Sequence, residues 1–189
     1  MDALLSEIKQ CTLCADNLPL GPHPIVTAHP DSKIIIVGQA PGLKVHNSGI
    51  PWNDASGKRL RTWLNVSEDQ FYDTKNFAII PMGFCYPGKG KSGDLPPRLE
   101  CAPQWHNMLL DNMPNVKLVI LIGSYAQKYY LQAEVGTTLT ETVSNFESYL
   151  PTYFPIPHPS PRNRFWMSKN PWFEASVVPE LQKRVHEII

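Results

Sequence analysis

The chain has 189 residues, of which 42% are hydrophobic and 18% charged, and this composition suits one globular domain over residues 1–189. Basic and acidic residues are equal at 17 each, so the zero net charge excludes a broadly basic nucleic-acid-binding surface and leaves room only for a local patch. No segment has the length of a membrane span and no signal peptide is recognised, so we expect a cytoplasmic protein that does not bind membranes.

Apolar runs and turn residues predict strands that alternate with helices. In chain order the elements are a helix to about residue 10, a strand at 33–37, a helix at 56–64, a strand at 77–80, a helix at 102–113, a strand at 118–122, a helix at 125–132 capped by Ser124, a helical or irregular segment at 138–146, a strand at 153–156 and a closing helix at 173–189 interrupted near Pro179. This alternation is typical of the α/β class and predicts a central, mainly parallel sheet of four strands between helices.

Three unusual loops follow the predicted strands. They are GQAPG at 38–42, PMGFCYPG at 81–88 and HPSPRN at 158–163. Because ligands of parallel sheets bind beyond the carboxyl ends of the strands, we expect the three loops to enclose one pocket.

The four cysteines are Cys11, Cys14, Cys85 and Cys101, and none is left over. In a reducing compartment two disulfides are not expected, whereas a C-x2-C pair joined by two later thiolates is typical of a metal centre. The spacing suits a four-thiolate zinc ion or a four-thiolate iron–sulfur cluster equally well. The alternative is that Cys85 and Cys101 are ordinary buried residues.

Together these motifs resemble the uracil-DNA glycosylase superfamily, and most closely its iron–sulfur, family-4 type members. GQAPG is similar to the first motif of these enzymes, HPSPRN to the second, and GIPWNDASG at 49–57 to the segment that carries the base-stacking aromatic residue. The resemblance covers nearly the whole chain. It implies a three-layer α/β/α fold and a [4Fe–4S] cluster held by Cys11, Cys14, Cys85 and Cys101, with zinc as the alternative.

The resemblance also implies roles around a base flipped out of DNA. Trp52 would stack on the base, or alternatively pack in the core under a loop. His158 would donate to the base oxygen where charge develops, and backbone N–H groups of the first motif would add further donors. The first-motif residues implied in binding are Gly38, Gln39, Ala40, Pro41 and Gly42.

The second motif is implied in DNA contact. Ser160 and the backbone of Arg162 would grip a phosphate, and Asn163, Arg164 or Phe165 would enter the minor groove. Lys89 and Lys91, with Arg98 nearby, would supply the local basic patch, or else are solvated charges.

A water molecule must attack the sugar, and a carboxylate normally orients it. Ala40 stands where family-1 enzymes have Asp, and Gln39 stands where family-4 enzymes often have Glu. Asp54 is the nearest remaining acid in the aligned loops. Family-5 enzymes use an Asp in the comparable downstream loop, and we therefore predict that Asp54 activates the water. It could equally cap the helix that begins near Ser56. Asp94 is a second candidate.

Family-4 enzymes usually read uracil with an Asn four residues before the third cysteine, and this chain has Pro81 there. Asn53 or Asn47, or the backbone of Met82 and Gly83, would have to read the base instead, or the preferred base differs.

The sequence thus predicts a monomeric DNA glycosylase that removes uracil or a related deaminated base. Two alternatives stay open: a base-binding protein without activity that uses the same pocket, and a four-thiolate zinc protein that acts on a small nucleotide.

Overall fold

Four parallel strands form the centre of the fold. The computed structural model describes residues 1–189. The strands are β1 (Ile34–Val37), β2 (Phe77–Ile79), β3 (Leu118–Ile122) and β4 (Tyr153–Ile156). They lie in the order β2-β1-β3-β4, and every neighbouring pair is parallel. The predicted α/β class is therefore confirmed, with a sheet that is wholly rather than mainly parallel.

Nine α-helices surround the sheet. They are α1 (Asp2–Lys9), α2 (Leu43–Ser48), α3 (Ala55–Leu64), α4 (Glu68–Tyr72), α5 (Cys101–Asp111), α6 (Ser124–Leu131), α7 (Leu139–Ser144), α8 (Arg164–Lys169) and α9 (Val178–Ile188). Helices α2, α4 and α8 were not predicted, because each has only five or six residues and is too short to show a helical period.

One predicted detail of the helices needs correction. Ser124 does not cap α6: the N-cap is Gly123, whose φ of +81° suits glycine, and no side chain bonds to the helix start. The closing helix is interrupted near Pro179, as predicted. Residues Phe173–Val177 form a π-helix, and α9 begins at Val178 with Pro179 in its first turn, where the missing N–H is tolerated.

Side chains alternate between the two faces of the sheet, which produces three layers. Ile34 and Ile36 face a core formed with α3, α7 and α9, whereas Ile35 and Val37 face a core formed with α1, α5 and α6. Both faces of β1 are fully buried, which explains its uninterrupted run of β-branched residues. None of the helices is both long and apolar enough to cross a lipid bilayer.

The strand order positions the site. After β1 the chain moves outward to β2, then returns past β1 to β3 and β4, so the order reverses next to β1. Such a reversal opens a crevice at the carboxyl ends of the strands. The loops that follow β1, β2 and β4 all lie at this edge.

Candidate active site

A cavity of about 320 Å³ lies at the carboxyl edge of the sheet. The predicted site residues that line it are Gly38, Gln39, Ala40, Pro41, Gly42, Trp52, Asp54, His158 and Ser160. Lys44, Ser56, Pro81, Asp94 and Arg162 also line it. The three loops therefore do enclose one pocket, as the sequence predicts, and its volume is in the lower part of the range typical of small-ligand sites.

The first-motif loop presents unpaired donors. The backbone N–H groups of Gly38, Gln39 and Ala40 donate to no other group in the protein. The carbonyls of the same loop are engaged, because Met82 N–H donates to Gly38 O at 2.8 Å and Gly83 N–H to Gln39 O at 3.0 Å. The loop is thus held through its acceptors and keeps its donors for a ligand.

Trp52 is held over this loop by a strained backbone. Its φ is +57°, a conformation that bulky residues rarely adopt. The turn is fixed from both sides: Tyr72 O–H donates to Pro51 O at 3.0 Å, and the Trp52 carbonyl rests on Gly57. A Cβ on Gly38 would lie 2.9 Å from Cζ2 of Trp52, so glycine there lets the indole approach the loop closely.

Trp52 and His158 stand side by side. Their ring centroids are 5.6 Å apart and their planes differ by 34°. Trp52 is half-buried and packs against the core with one part of its ring, so the core and pocket interpretations both describe it. The sequence-based prediction that these two side chains meet in one cavity is confirmed.

The geometry around His158 fixes its proton. Nδ1 accepts a hydrogen bond from Ser160 N–H at 3.1 Å, which leaves the proton on Nε2. Burial lowers the pKa of His158 below its ordinary value, although the nearby Asp54 carboxylate acts in the opposite direction. His158 is therefore a neutral donor whose Nε2–H is free for a ligand.

Asp54 caps a helix and also lines the pocket. Its Oδ1 accepts from Gly57 N–H at 2.8 Å and so caps α3. The same residue lines the pocket and lies within electrostatic range of His158. Because the cap uses one oxygen, the other is available to the pocket.

Several residues predicted to bind substrate lie outside the pocket. Asn53 is exposed and does not line it, and the N–H groups of Met82 and Gly83 are used by the first-motif loop. Asn163 also lies outside, because its Nδ2 donates to His158 O at 2.7 Å and stabilises the second motif. The structure therefore does not bring Asn53, Met82, Gly83 or Asn163 to the cavity, and local sequence does not show which backbone groups are already paired. Contact of Asn163 with the minor groove stays a prediction.

The four cysteines line a second, small and enclosed cavity. The other residues around it are Pro24, Phe84, Arg98 and Trp105. No disulfide forms, and burial raises the pKa of Cys85 to about 11 and of Cys101 to about 12. No group of three or more His, Cys, Asp or Glu side chains is arranged around the position of a single metal ion.

The fold and the pocket define a class: a parallel α/β protein whose loops join an aromatic plane, free amide donors and a neutral imidazole at one sheet edge. The family model of the uracil DNA glycosylase superfamily matches residues 25–182. The chain therefore belongs to the uracil DNA glycosylase superfamily, whose members are in general DNA glycosylases. The match includes Cys85 and Cys101 but begins after Cys11 and Cys14, so the iron–sulfur branch stays a prediction.

Proposed function

We propose that the protein hydrolyses the N-glycosidic bond of uracil or a related deaminated base flipped out of DNA. The adjacency of Trp52 and His158 in one cavity with the free first-motif N–H groups carries this proposal. A flipped base needs a flat partner and polar contacts at its edge, and these are the groups the cavity offers.

The reaction develops opposite charges on its two halves. As the C1′–N bond breaks, its electron pair leaves with the base and the sugar becomes positive. The Nε2–H of His158 and the free N–H groups of Gly38, Gln39 and Ala40 would stabilise the anionic base. Since all are neutral donors held in place, they require little reorganisation when the charge appears.

Water completes the reaction at C1′. The unengaged oxygen of Asp54 would orient the water and accept its proton as the new C–O bond forms, which leaves an abasic site and the free base. Asp54 is well suited because its backbone and Oδ1 are fixed by the start of α3.

The pocket wall at Pro81 affects which base the pocket would accept. Pro81 lines the pocket, and its carbonyl accepts from Nε2 of the fully buried His106 at 3.0 Å. Met82 and Gly83 are also fully engaged at their N–H groups. This wall offers the base no side-chain amide, and the proposal therefore extends beyond uracil to other deaminated bases.

DNA contact would involve the rim of the pocket. Lys44 and Arg162 line it, and Phe165, on α8 directly after the second motif, is 70% exposed. A large apolar side chain so exposed beside a base pocket is suited to fill the space that a flipped base leaves. Lys44 and Arg162 would meet phosphates despite the neutral overall charge.

We further propose that Cys11, Cys14, Cys85 and Cys101 hold a [4Fe–4S] cluster. A four-iron cluster holds its thiolates further apart than a single tetrahedral zinc ion, whose Zn–S bonds are about 2.3 Å. The four thiols line one enclosed cavity, which brings together the ligands that either group would need. Two buried donors there, Nε1 of Trp105 and Nε of Arg98, have no protein partner and suit an anionic guest. The cluster would be structural, because hydrolysis transfers no electrons.

A base-release assay tests the proposed activity. Oligonucleotides bearing uracil, hypoxanthine, xanthine or a thymine mismatch are incubated with the protein, and abasic sites are detected by alkaline cleavage. We expect release of at least one base, and a loss of about 10²–10³ in single-turnover rate for His158→Ala, because a neutral donor to the leaving base is removed. Binding to a flipped base without release, even at high protein concentration, would instead establish the alternative of a non-catalytic binding protein.

A further inference from the structure

The segment between Cys85 and Cys101 forms a hairpin, residues 86–100, that reaches from the cysteine cavity to the base pocket. Lys89 and Asp94 pair across it as an antiparallel bridge. Leu95 N–H donates to Gly88 O at 2.8 Å, and Gly90 N–H donates to Gly93 O. The tip is therefore a closed turn with a defined shape.

Two side chains from the pocket loops hold the hairpin in place. Nε2 of Gln39 donates to Leu95 O at 3.0 Å, and Nη1 of Arg162 donates to Ser92 O at 3.3 Å. Gly93 lies directly beneath this guanidinium, since a Cβ there would be 2.7 Å from Nη1. The first and second motifs thus both contact the hairpin, on either side of Asp94.

Asp94 is the residue that this docking brings into the pocket. It lines the cavity, and its Oδ2 is 3.3 Å from the position that a Cβ on Gly42 would occupy. No protein group donates to its carboxylate and no salt bridge includes it; partial burial raises its pKa, while Arg162 opposes the shift. Asp54, by contrast, has one oxygen committed to a helix cap.

We infer that Asp94 is a second catalytic carboxylate, which offsets the positive charge that develops on the sugar as the base leaves. This inference rests on the proposed function. The base would lie deep, beside Trp52 and the mostly buried His158, whereas Asp94 is exposed at the mouth. The sugar of a flipped nucleotide must cross that mouth because it stays attached to the DNA backbone.

The docking of the hairpin also explains why a glutamine, and not a glutamate, occupies position 39. Its amide donates to a carbonyl of the hairpin, and an ionised Glu at this position has no proton to donate. The first motif therefore lacks a carboxylate of its own, and the residue in that place instead holds the hairpin that supplies one.

Asp94→Asn tests the inference because it removes the charge and keeps the shape. We expect the single-turnover rate of base release to fall about tenfold or more, the reduction being limited by solvent screening at the mouth. Affinity for the same oligonucleotide, measured by fluorescence anisotropy, should stay equal or increase, because a negative charge near phosphates is lost. A merely structural residue would not separate rate from affinity in this way.

Two further variants complete the experiment. Asp111→Asn is the charge-matched control, since Asp111 ends α5 at the opposite edge of the sheet and should leave rate and affinity unchanged. Gln39→Ala keeps Asp94 but releases the hairpin, and it should also slow base release. A wild-type rate in Asp94→Asn, with His158→Ala still impaired, would overturn this inference alone, whereas absence of release by the unmodified protein would overturn the proposed function.

Discussion

The base pocket and the cysteine cavity lie at either end of one hairpin, yet they are built in opposite ways. The pocket is open, measures about 320 Å³ and is lined by polar and apolar groups in similar measure, many of them on the loops that follow three strands. The cysteine cavity is enclosed by sulfur, aromatic and proline side chains from the N-terminal segment, the chain before the hairpin and α5, together with Arg98 of the hairpin. The first is suited to a ligand that enters and leaves, the second to a resident group.

The contrast indicates how the molecule divides its tasks. The strained backbone of Trp52 and the unpaired N–H groups of the first motif are unfavourable for folding, and under the proposed function they would serve a bound base. The proposed cluster would tie the chain together, because Cys11 and Cys14 lie far in sequence from Cys85 and Cys101. If this division is correct, variants in the two regions should affect different measured quantities.

Cys101→Ala should have the largest effect on stability. With one of the four thiolates removed, we expect loss of bound iron and a decrease of more than about 4 kcal/mol in the free energy of unfolding, as is typical of a lost metal site. Iron analysis, visible absorption and chemical denaturation measure this. His158→Ala is the reciprocal control and should keep both iron and stability. Normal stability and full iron content in Cys101→Ala would contradict the proposal that the cysteine cavity holds a group that stabilises the fold.

His106 connects the two regions and predicts an acid sensitivity. It lies on α5, which begins at Cys101, and it bonds to Pro81 O on the pocket wall. Burial lowers the pKa of His106 to about 4, so the unfolded chain takes up a proton first as the pH falls. The contribution of His106 to the free energy of unfolding should be constant above about pH 6.5 and should decrease by about 3 kcal/mol from pH 6.5 to pH 4.

Denaturation curves recorded at several pH values test this effect. His106→Gln keeps a donor for Pro81 O but does not titrate, so its stability should depend less on pH than that of the unmodified protein. His186→Gln, at an exposed position, is the matched control and should reproduce the unmodified pH profile. Identical profiles for all three proteins would show that His106 is not the acid-sensitive group.

The sequence allowed us to predict the sheet and the residues that meet in the pocket. It did not allow us to predict which polar groups of the loops form hydrogen bonds with one another. Strands β3 and β4 occupy the residues predicted, because each is a short apolar run bounded by turns. Trp52 and His158 meet because strand ends share an edge. The contact of Gln39 with Leu95 joins residues 56 positions apart, and no local pattern indicates it. The pairing of the Met82 and Gly83 N–H groups with the first-motif loop is likewise not visible in local sequence.

Gly57→Ala should produce a smaller loss of stability, and it tests whether a change at the base pocket leaves the cysteine cavity unaffected. A Cβ on Gly57 would lie 1.7 Å from the Trp52 carbonyl oxygen, a backbone atom that cannot simply rotate away. We expect a destabilisation of about 2 kcal/mol from overpacking, together with a displaced indole. Base affinity should therefore fall although iron content is unchanged, as anisotropy and iron analysis would measure. Lys58→Ala, at the next residue of α3 and exposed, is the control and should preserve both. Unchanged base affinity in a destabilised Gly57→Ala would mean that the strained turn at Trp52 serves packing and not the base.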